Sequence, residues 1–274
     1  MSYSIASVVS VAGSDSSGGA GIQADLKTIE AFGLYGQTVV TALTAQNTCG
    51  VYGVADTAVD FVRAQMEAVF ADIVPAATKI GMVPSPAIAE AVADGLAAHV
   101  ARNVVLDPVM VSTSGAALIS DDARACLVER LFPLAALITP NIPEAEALSG
   151  VCVRTRADME RAALVLSEMT PGAVLVKGGH GPSGADDVLC RAGALCWLEG
   201  ERVETANTHG TGCTLSSAAA CGLARGLSVD EAVRDAKRYV SGALAAGLDL
   251  GAGSGPLDHA WRSRECAGEL SARR

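Results

Sequence analysis

The sequence predicts one α/β domain over residues 1–274, with a mostly parallel sheet and an antiparallel edge. Three observations carry this. Short apolar runs alternate with helical stretches from about residue 5 to 148, the spacing of βαβ units. From residue 173 to 205 strand-like segments follow one another with only charged or glycine turns between them. No linker-like, low-complexity or repeated stretch divides the 274 residues, a length that one α/β core commonly fills.

The elements follow in order. Residues 5–12 read as a strand, 13–21 as a Gly/Ser/Asp loop and 22–32 as a helix, with Ile22, Leu26 and Ile29 on one face. Gly33 stops that helix as a C-cap would. The β-branched run 38–41 opens a strand that ends near Gln46, and 56–70 is an amphipathic helix. Next come strand 78–82, helix 86–101, strand 103–109, helix 121–131, strand 136–139 and a short helix at 143–148. Strands at 173–177, 187–191, 194–198 and 202–205 precede helices at 211–224 and 229–246. The last twenty or so residues are weakly patterned and expected to be partly loose.

Composition narrows the function. The net charge of −10 gives no general attraction for polyanions, so neither nucleic acid nor an anionic membrane surface is an expected partner. Aromatic residues at 4% are too few for base stacking. Eight cysteines without a C-x-x-C pair read as reduced thiols of a cytoplasmic protein. Residues 5–12 run straight into the glycine loop, which marks a first strand rather than a signal peptide.

The strongest chemical signal is His209-Gly210-Thr211-Gly212-Cys213-Thr214, directly before a small-residue helix. Glycines let backbone N–H groups converge at a helix start, and the positive dipole end makes an anion hole. Such a hole suits a phosphoryl group in transfer. Cys213, in the first turn, is expected to have its pKa lowered by the same amides and to accept a proton from an attacking hydroxyl. Taken alone, Gly-Thr-Gly is equally well a simple turn and Cys213 a small buried residue.

The loop from Gly13 to Gly21 meets neither the P-loop nor the dinucleotide fingerprint, but ligands gather at such loops on parallel sheets. By spacing alone, Asp25 and Lys27 on the following helix read as a solvated face. Asp107-Pro108, Asn141-x-x-Glu144 and Lys177-Gly178-Gly179-His180 each end a predicted strand. Two carboxylates and a lysine converging at one sheet edge would hold Mg2+ and phosphates. Gln46 offers a donor and an acceptor for a heterocycle edge, and Met82 a polarizable wall. No histidine has metal-ligand spacing, so zinc is not expected.

Together these residues resemble the hydroxymethylpyrimidine/phosphomethylpyrimidine kinases of thiamine biosynthesis. The matching segments are Ala12 to Lys27, Thr41-Ala42-Leu43-Thr44-Ala45-Gln46-Asn47-Thr48, Asp107-Pro108-Val109-Met110, Thr139-Pro140-Asn141-x-x-Glu144, Val176 to His180 and Asn207 to Thr214. The resemblance implies a ribokinase-like three-layer α/β/α sandwich, with helices on both faces of the sheet. It implies ATP and Mg2+ as cofactors, a homodimer, and two successive phosphorylations of 4-amino-5-hydroxymethyl-2-methylpyrimidine. By matching positions it gives Gln46 the pyrimidine edge, with Gly13, Met82, Val109 and Asp25 around the substrate. Lys177, Thr208, His209, Gly210 and Gly212 would meet the nucleotide, and Asp107 and Glu144 the metal. Gly210, Thr211 and Gly212 would form the anion hole beside Cys213. Sugar kinases of the wider superfamily have Asp where Cys213 stands, so the thiol argues against a sugar. It leaves open a pyridoxal or pyridoxine kinase, and a catalytically silent ligand-binding relative stays a third reading.

Overall fold

Successive side chains of a strand point to opposite faces, and the first strand shows what that does here. Val8 packs into one apolar layer, while Val9 and Val11 pack into the other. The computed structural model describes residues 4–110, 119–179 and 184–268. His180 of the lysine motif, like the last six residues, lies outside them.

In chain order, β1 (Ser7–Asp15), α1 (Gly21–Ala31), β2 (Tyr35–Asn47), β3 (Gly50–Asp56), α2 (Val59–Phe70), β4 (Ala77–Ile80), α3 (Pro86–Ala98) and β5 (Val104–Leu106) form the first half. α4 (Asp121–Cys126) continues as a π turn (Leu127–Leu131) and a 3-10 turn (Phe132–Leu134) before β6 (Leu137–Ile138). Then come α5 (Ile142–Ser149), α6 (Arg156–Ser167), β7 (Ala173–Val176), β8 (Asp187–Arg191) and β9 (Ala194–Leu198). The chain closes with α7 (Thr211–Ala224), α8 (Val229–Ala245) and α9 (Trp261–Cys266).

Among the described residues the strands form one sheet in the order β3-β2-β1-β4-β5-β6-β7-β8-β9. The six central strands, β2 to β7 in that order, run parallel. Antiparallel pairs close both ends, β2–β3 on one side and β7–β8–β9 on the other. α2, α3 and α6 bury Met66, Val92 and Leu166 on one face, and α1, α7 and α8 bury Ile29, Ala219 and Tyr239 on the other. The predicted three-layer architecture is therefore present.

Four expectations need correction. The sheet has a second antiparallel edge, because β3 occupies the stretch before α2, whose start moves from 56 to Val59. α6 was not foreseen, although Thr155 and Asp158 cap it reciprocally, a pattern written in the sequence. Residues 202–205 form no strand. β1 also runs three residues further than expected, into the glycine loop, with a break in register at Gly13 between Ala12 and Ser14.

Because six strands are parallel, their carboxyl ends share one edge of the sheet. Gly13, Gln46, Met82, Asp107, Asn141 and Lys177 all lie at those ends, which is where open α/β sheets bind ligands.

Candidate active site

β5 and β7 deliver the two most strongly linked of these residues. Lys177 follows β7 and its Nζ lies 2.8 Å from Asp107 Oδ1, just beyond β5. Thr139 Oγ1 donates to the same oxygen at 3.0 Å. Glu144 stands beside them as the third residue of α5, where Asn141 and Glu144 form a capping box with Asn141 N–H donating to Glu144 Oε2 at 2.8 Å. Burial pushes the Glu144 carboxyl up to about 7, with Lys177 opposing and Asp107 adding to that rise. Burial alone would lower the Lys177 ammonium, but Asp107 and Glu144 reverse this and raise it.

The start of α7 faces this group. A Cβ on Gly212 would stand 3.2 Å from Asp107 Oδ2 and 3.3 Å from Lys177 Nζ, so the glycine keeps the helix end open to the lysine and the carboxylate. Gly210, the N-cap, has φ 83° and would meet Gly19 O at 1.9 Å if it carried a Cβ. Only glycine fits that left-handed, close position. Lacking a side chain, Gly210 cannot cap the first turn, which leaves that helix end suited to an anion. Thr211 Oγ1 is turned back to Thr208 O at 2.7 Å, and exposed Thr208 meets Ser254 Oγ at 3.1 Å.

Cys213 is placed as expected, but its chemistry is not. Burial pushes its thiol up to about 11, opposed by Lys79 and by a hydrogen bond from the Gly21 amide. The expectation that helix-start amides would lower its pKa is overturned, because desolvation and the charges of Asp25 and Asp107 outweigh them.

Asp25 is also corrected. It is neither a substrate ligand nor on a solvated face: it and Lys79 are 0% exposed. Lys79 Nζ reaches both Asp25 oxygens, at 2.8 and 2.9 Å. Ser10 Oγ and Ser217 Oγ donate to them at 2.5 and 2.8 Å. With four hydrogen bonds the carboxylate has nothing left to offer a ligand. Burial would lower the Lys79 ammonium, yet Asp25 more than compensates and raises it.

The glycine loop turns its amides inward. Asp15 Oδ1 accepts from Ser17 N–H at 2.8 Å, and Oδ2 accepts from Ala20 N–H at 2.7 Å and Gly19 N–H at 3.1 Å. The loop thus closes on its own carboxylate, so these amides are not offered to a phosphate. His209 Nε2 lies 2.8 Å from Asp15 Oδ2 and 3.2 Å from Gln46 Nε2. The buried ring of His209, a residue expected at the nucleotide, lies against Asp15 of the loop and against Gln46. Burial opposes the charge on Asp15, but hydrogen bonds from His209, Ser17 and Ala20 win and hold its carboxyl far below the usual range.

Gln46 is further tied by Ser16, whose Oγ donates to Gln46 O at 2.8 Å and accepts from Gln46 N–H at 2.9 Å. Gly13 lies against Met82, whose sulfur would be 3.1 Å from a Cβ there. Met82 is held by Thr41 Oγ1 donating to its carbonyl at 2.7 Å, and half-buried Val109 follows Asp107. Asp15, Lys79 and Ser217 were missed by sequence reasoning. A lysine inside an apolar strand was the one visible sign, since such a charge needs a buried partner.

No group of three or more His, Cys, Asp or Glu able to hold a metal occurs among the described residues. Near the lysine end, Gly178 N–H donates to Asp187 Oδ1 at 2.9 Å, and Asp187 Oδ2 pairs with Lys237 at 2.6 Å. Lys237 lines a groove of about 580 Å³ with Leu198, Gly200, Val203 and Ser241.

Comparison with known proteins gives the relatives of this chain. The profile of the phosphomethylpyrimidine kinase family matches residues 15–258. A hydroxymethylpyrimidine/phosphomethylpyrimidine kinase from Streptomyces coelicolor is 50% identical over 254 residues, 93% of this chain and 94% of that protein. The crystal structure of a phosphomethylpyrimidine kinase from Clostridium difficile is 44% identical with a TM-score of 0.78, covering 86% of this chain and 98% of the other. An ADP complex of Bacillus subtilis pyridoxal kinase is 36% identical with a TM-score of 0.87, covering 95% and 99%.

Proposed function

We propose, from the premise that this chain belongs to the phosphomethylpyrimidine kinase family, that the cleft between β2 and α7 transfers phosphate from ATP to hydroxymethylpyrimidine and then to its monophosphate. The observation that carries the chemistry is the Asp107–Lys177 pair facing Gly212 at the uncapped start of α7. A transferring phosphoryl group spreads charge over its oxygens, and helix-end amides with a lysine are positioned to stabilise it.

The residues fit Mg2+ carried in with the nucleotide. Asp107 Oδ2 faces the open glycine, and Glu144 is a buried carboxyl that a cation would hold ionised. Two carboxylates suffice because Mg2+ keeps water and phosphate oxygens as its other ligands; when bound, it neutralises phosphate charge. Lys177 meets the phosphates, and the groove lined by Val203, Lys237 and Ser241 takes the rest of the nucleotide. Gln46 meets the pyrimidine edge, with Gly13, Met82 and Val109 around the ring.

Cys213 stands beside the acceptor hydroxyl. With its thiol near 11, thiolate is the minority form at neutral pH. Only that thiolate can take the hydroxyl proton, so base catalysis by Cys213 draws on the minority form, and a loose transition state asks little of a base.

The deciding experiment incubates the protein with Mg·ATP and hydroxymethylpyrimidine, beside a pyridoxal control, and separates the products. Monophosphate followed by pyrophosphate is expected. Phosphorylation of pyridoxal with none of the pyrimidine would establish the pyridoxal-kinase reading instead.

A homodimer is supported by exposed Leu43, Tyr52 and Val54 on the β2–β3 edge. Sedimentation as a monomer at micromolar concentration would remove that assignment. A cytoplasmic setting is in keeping with the eight free cysteines. No helix of the described residues is long and apolar enough to cross a membrane.

A further inference from the structure

The contacts around His209 contain a logical constraint. Main-chain N–H groups can only donate, and two of them, on Gly19 and Ala20, point at Asp15 Oδ2. Asp15 also accepts the Ser17 N–H on its other oxygen. It is an acceptor throughout, so the hydrogen in its 2.8 Å contact with His209 sits on Nε2. A ring nitrogen carrying its hydrogen has no in-plane lone pair left to accept with. Yet that same Nε2 is 3.2 Å from the Gln46 side-chain amide.

Only an oxygen satisfies this contact. A half-turn of the Gln46 amide exchanges its oxygen and nitrogen and places Oε1 on His209. Nε2 then falls 3.3 Å from Thr44 Oγ1. Thr44 can accept there, because its own hydrogen goes to Ser14 O at 2.9 Å. The one His209 Nε2 hydrogen is then shared between Asp15 Oδ2 and Gln46 Oε1 as a three-centre bond. One Gln46 Nε2 hydrogen goes to Thr44, and that of Thr44 goes to Ser14 O. The opposite setting sets two donors against each other at His209.

We infer that Asp15 and His209 are positioning residues that fix which way round Gln46 presents its amide, and thereby favour a heteroaromatic edge with an acceptor ring nitrogen next to an exocyclic amine. In the fixed setting Gln46 keeps one Oε1 lone pair and one Nε2 hydrogen, side by side. An aminopyrimidine offers the complementary pair on adjacent atoms. A pyridine alcohol, whose ring nitrogen and hydroxyl are separated by a substituted carbon, does not. The ring cannot swing away, since a Cβ on Gly19 would lie 2.4 Å from His209 Cδ2, so the loop is packed against it.

This rests on the reading of Gln46 as the residue that meets the pyrimidine, and the tests separate the two. In the wild-type protein at pH 8, with ¹⁵N-labelled histidine, long-range ¹⁵N–¹H correlation is expected to show His209 Nε2 protonated. An unprotonated Nε2 overturns the inference with no variant required. In steady-state kinetics His209→Leu should raise KM for hydroxymethylpyrimidine on the order of 10–100-fold, the worth of a misaligned polar pair. KM for ATP should stay unchanged, and the preference over pyridoxal should shrink. His209→Gln, which keeps an N–H for Asp15, should recover most of the loss. Equal losses toward both alcohols overturn the inference. So does an unaltered pyrimidine KM in His209→Leu while Gln46→Ala raises it. If Gln46→Ala itself leaves that KM unchanged, the reading of Gln46 fails first.

Discussion

Lys79 with Asp25 and Lys177 with Asp107 are the same pair of side chains, each lysine within or just beyond a parallel strand, and they end in opposite roles. Asp25 receives four hydrogen bonds, two from Lys79 and one each from Ser10 and Ser217, and neither partner is exposed. Asp107 has Lys177 and Thr139 on one oxygen, while the other faces Gly212, and the Lys177 side chain is 13% exposed. A carboxylate whose lone pairs are all engaged holds elements together, here α1, β1, β4 and α7. One left half-engaged beside a helix end can still take a ligand. Residue type and strand position do not distinguish the two. The count of donors around each does.

The most direct way to break this comparison is to neutralise each aspartate. Asp25→Asn leaves Lys79 buried without its counter-charge, and removing one partner of a buried pair costs about 3–5 kcal/mol. Urea melts should show that loss, with residual activity tracking the folded fraction. Asp107→Asn should cost less stability, because Glu144 still faces Lys177, but should lower kcat on the order of 10²–10³-fold, as loss of a transition-state charge contact does. A reversed outcome, with Asp107→Asn unfolding the protein and Asp25→Asn folded but inactive, would exchange the two roles.

Cys213 lies between the pairs and sharpens the contrast, since Lys79 lowers its pKa while Asp25 and Asp107 raise it. Cys213→Ala should lower kcat on the order of 10²–10⁴-fold with KM little changed, the usual worth of general base catalysis. With the thiol near 11, the thiolate fraction grows about tenfold for each unit that pH rises toward that value. Wild-type kcat should therefore climb from pH 7 to 9, and the alanine variant should lose the climb. Near-normal turnover in Cys213→Ala would leave the cysteine a packing residue and give the catalysis to the anion hole alone.

The contrast also explains what was legible in the sequence. The parallel core was readable because Val104–Leu106 and Ala173–Val176 are short apolar runs bounded by polar strand ends. Lys177, Asp107, Glu144 and the Gly210–Cys213 turn were readable because strand ends on one sheet edge converge whatever the details of packing. β3 was not, since Gly50–Asp56 is an exposed edge strand with little apolar alternation. Asp25 was misread because helical spacing cannot show that Lys79, 54 residues away, lies beneath it. The partners of His209 were not legible for a similar reason: Asp15 and Gln46 are 194 and 163 residues distant. The direction of the Cys213 shift depended on burial, which a helix-start motif alone does not reveal.

The smallest effect concerns Glu144, the carboxylate between the two regimes, with one oxygen committed to its helix cap and its group close to Lys177. Its folded pKa, about 7, lies above the ordinary value of 4.5. Between those values the folded protein binds more protons than the unfolded chain, so stability falls as pH rises through that window. The contribution is fully present below pH 4.5 and is lost by about pH 7, amounting to roughly 1–3 kcal/mol. Glu144→Gln cannot ionise, so its urea stability should exceed that of the wild type at pH 8 and approach it at pH 5. Mg·ATP should narrow the gap at pH 8 in the wild type alone, because a cation beside Glu144 stabilises the ionised carboxylate that burial disfavours. If both proteins show the same pH slope with and without Mg·ATP, Glu144 is a helix cap only and Asp107 is left as the single carboxylate that serves the phosphates.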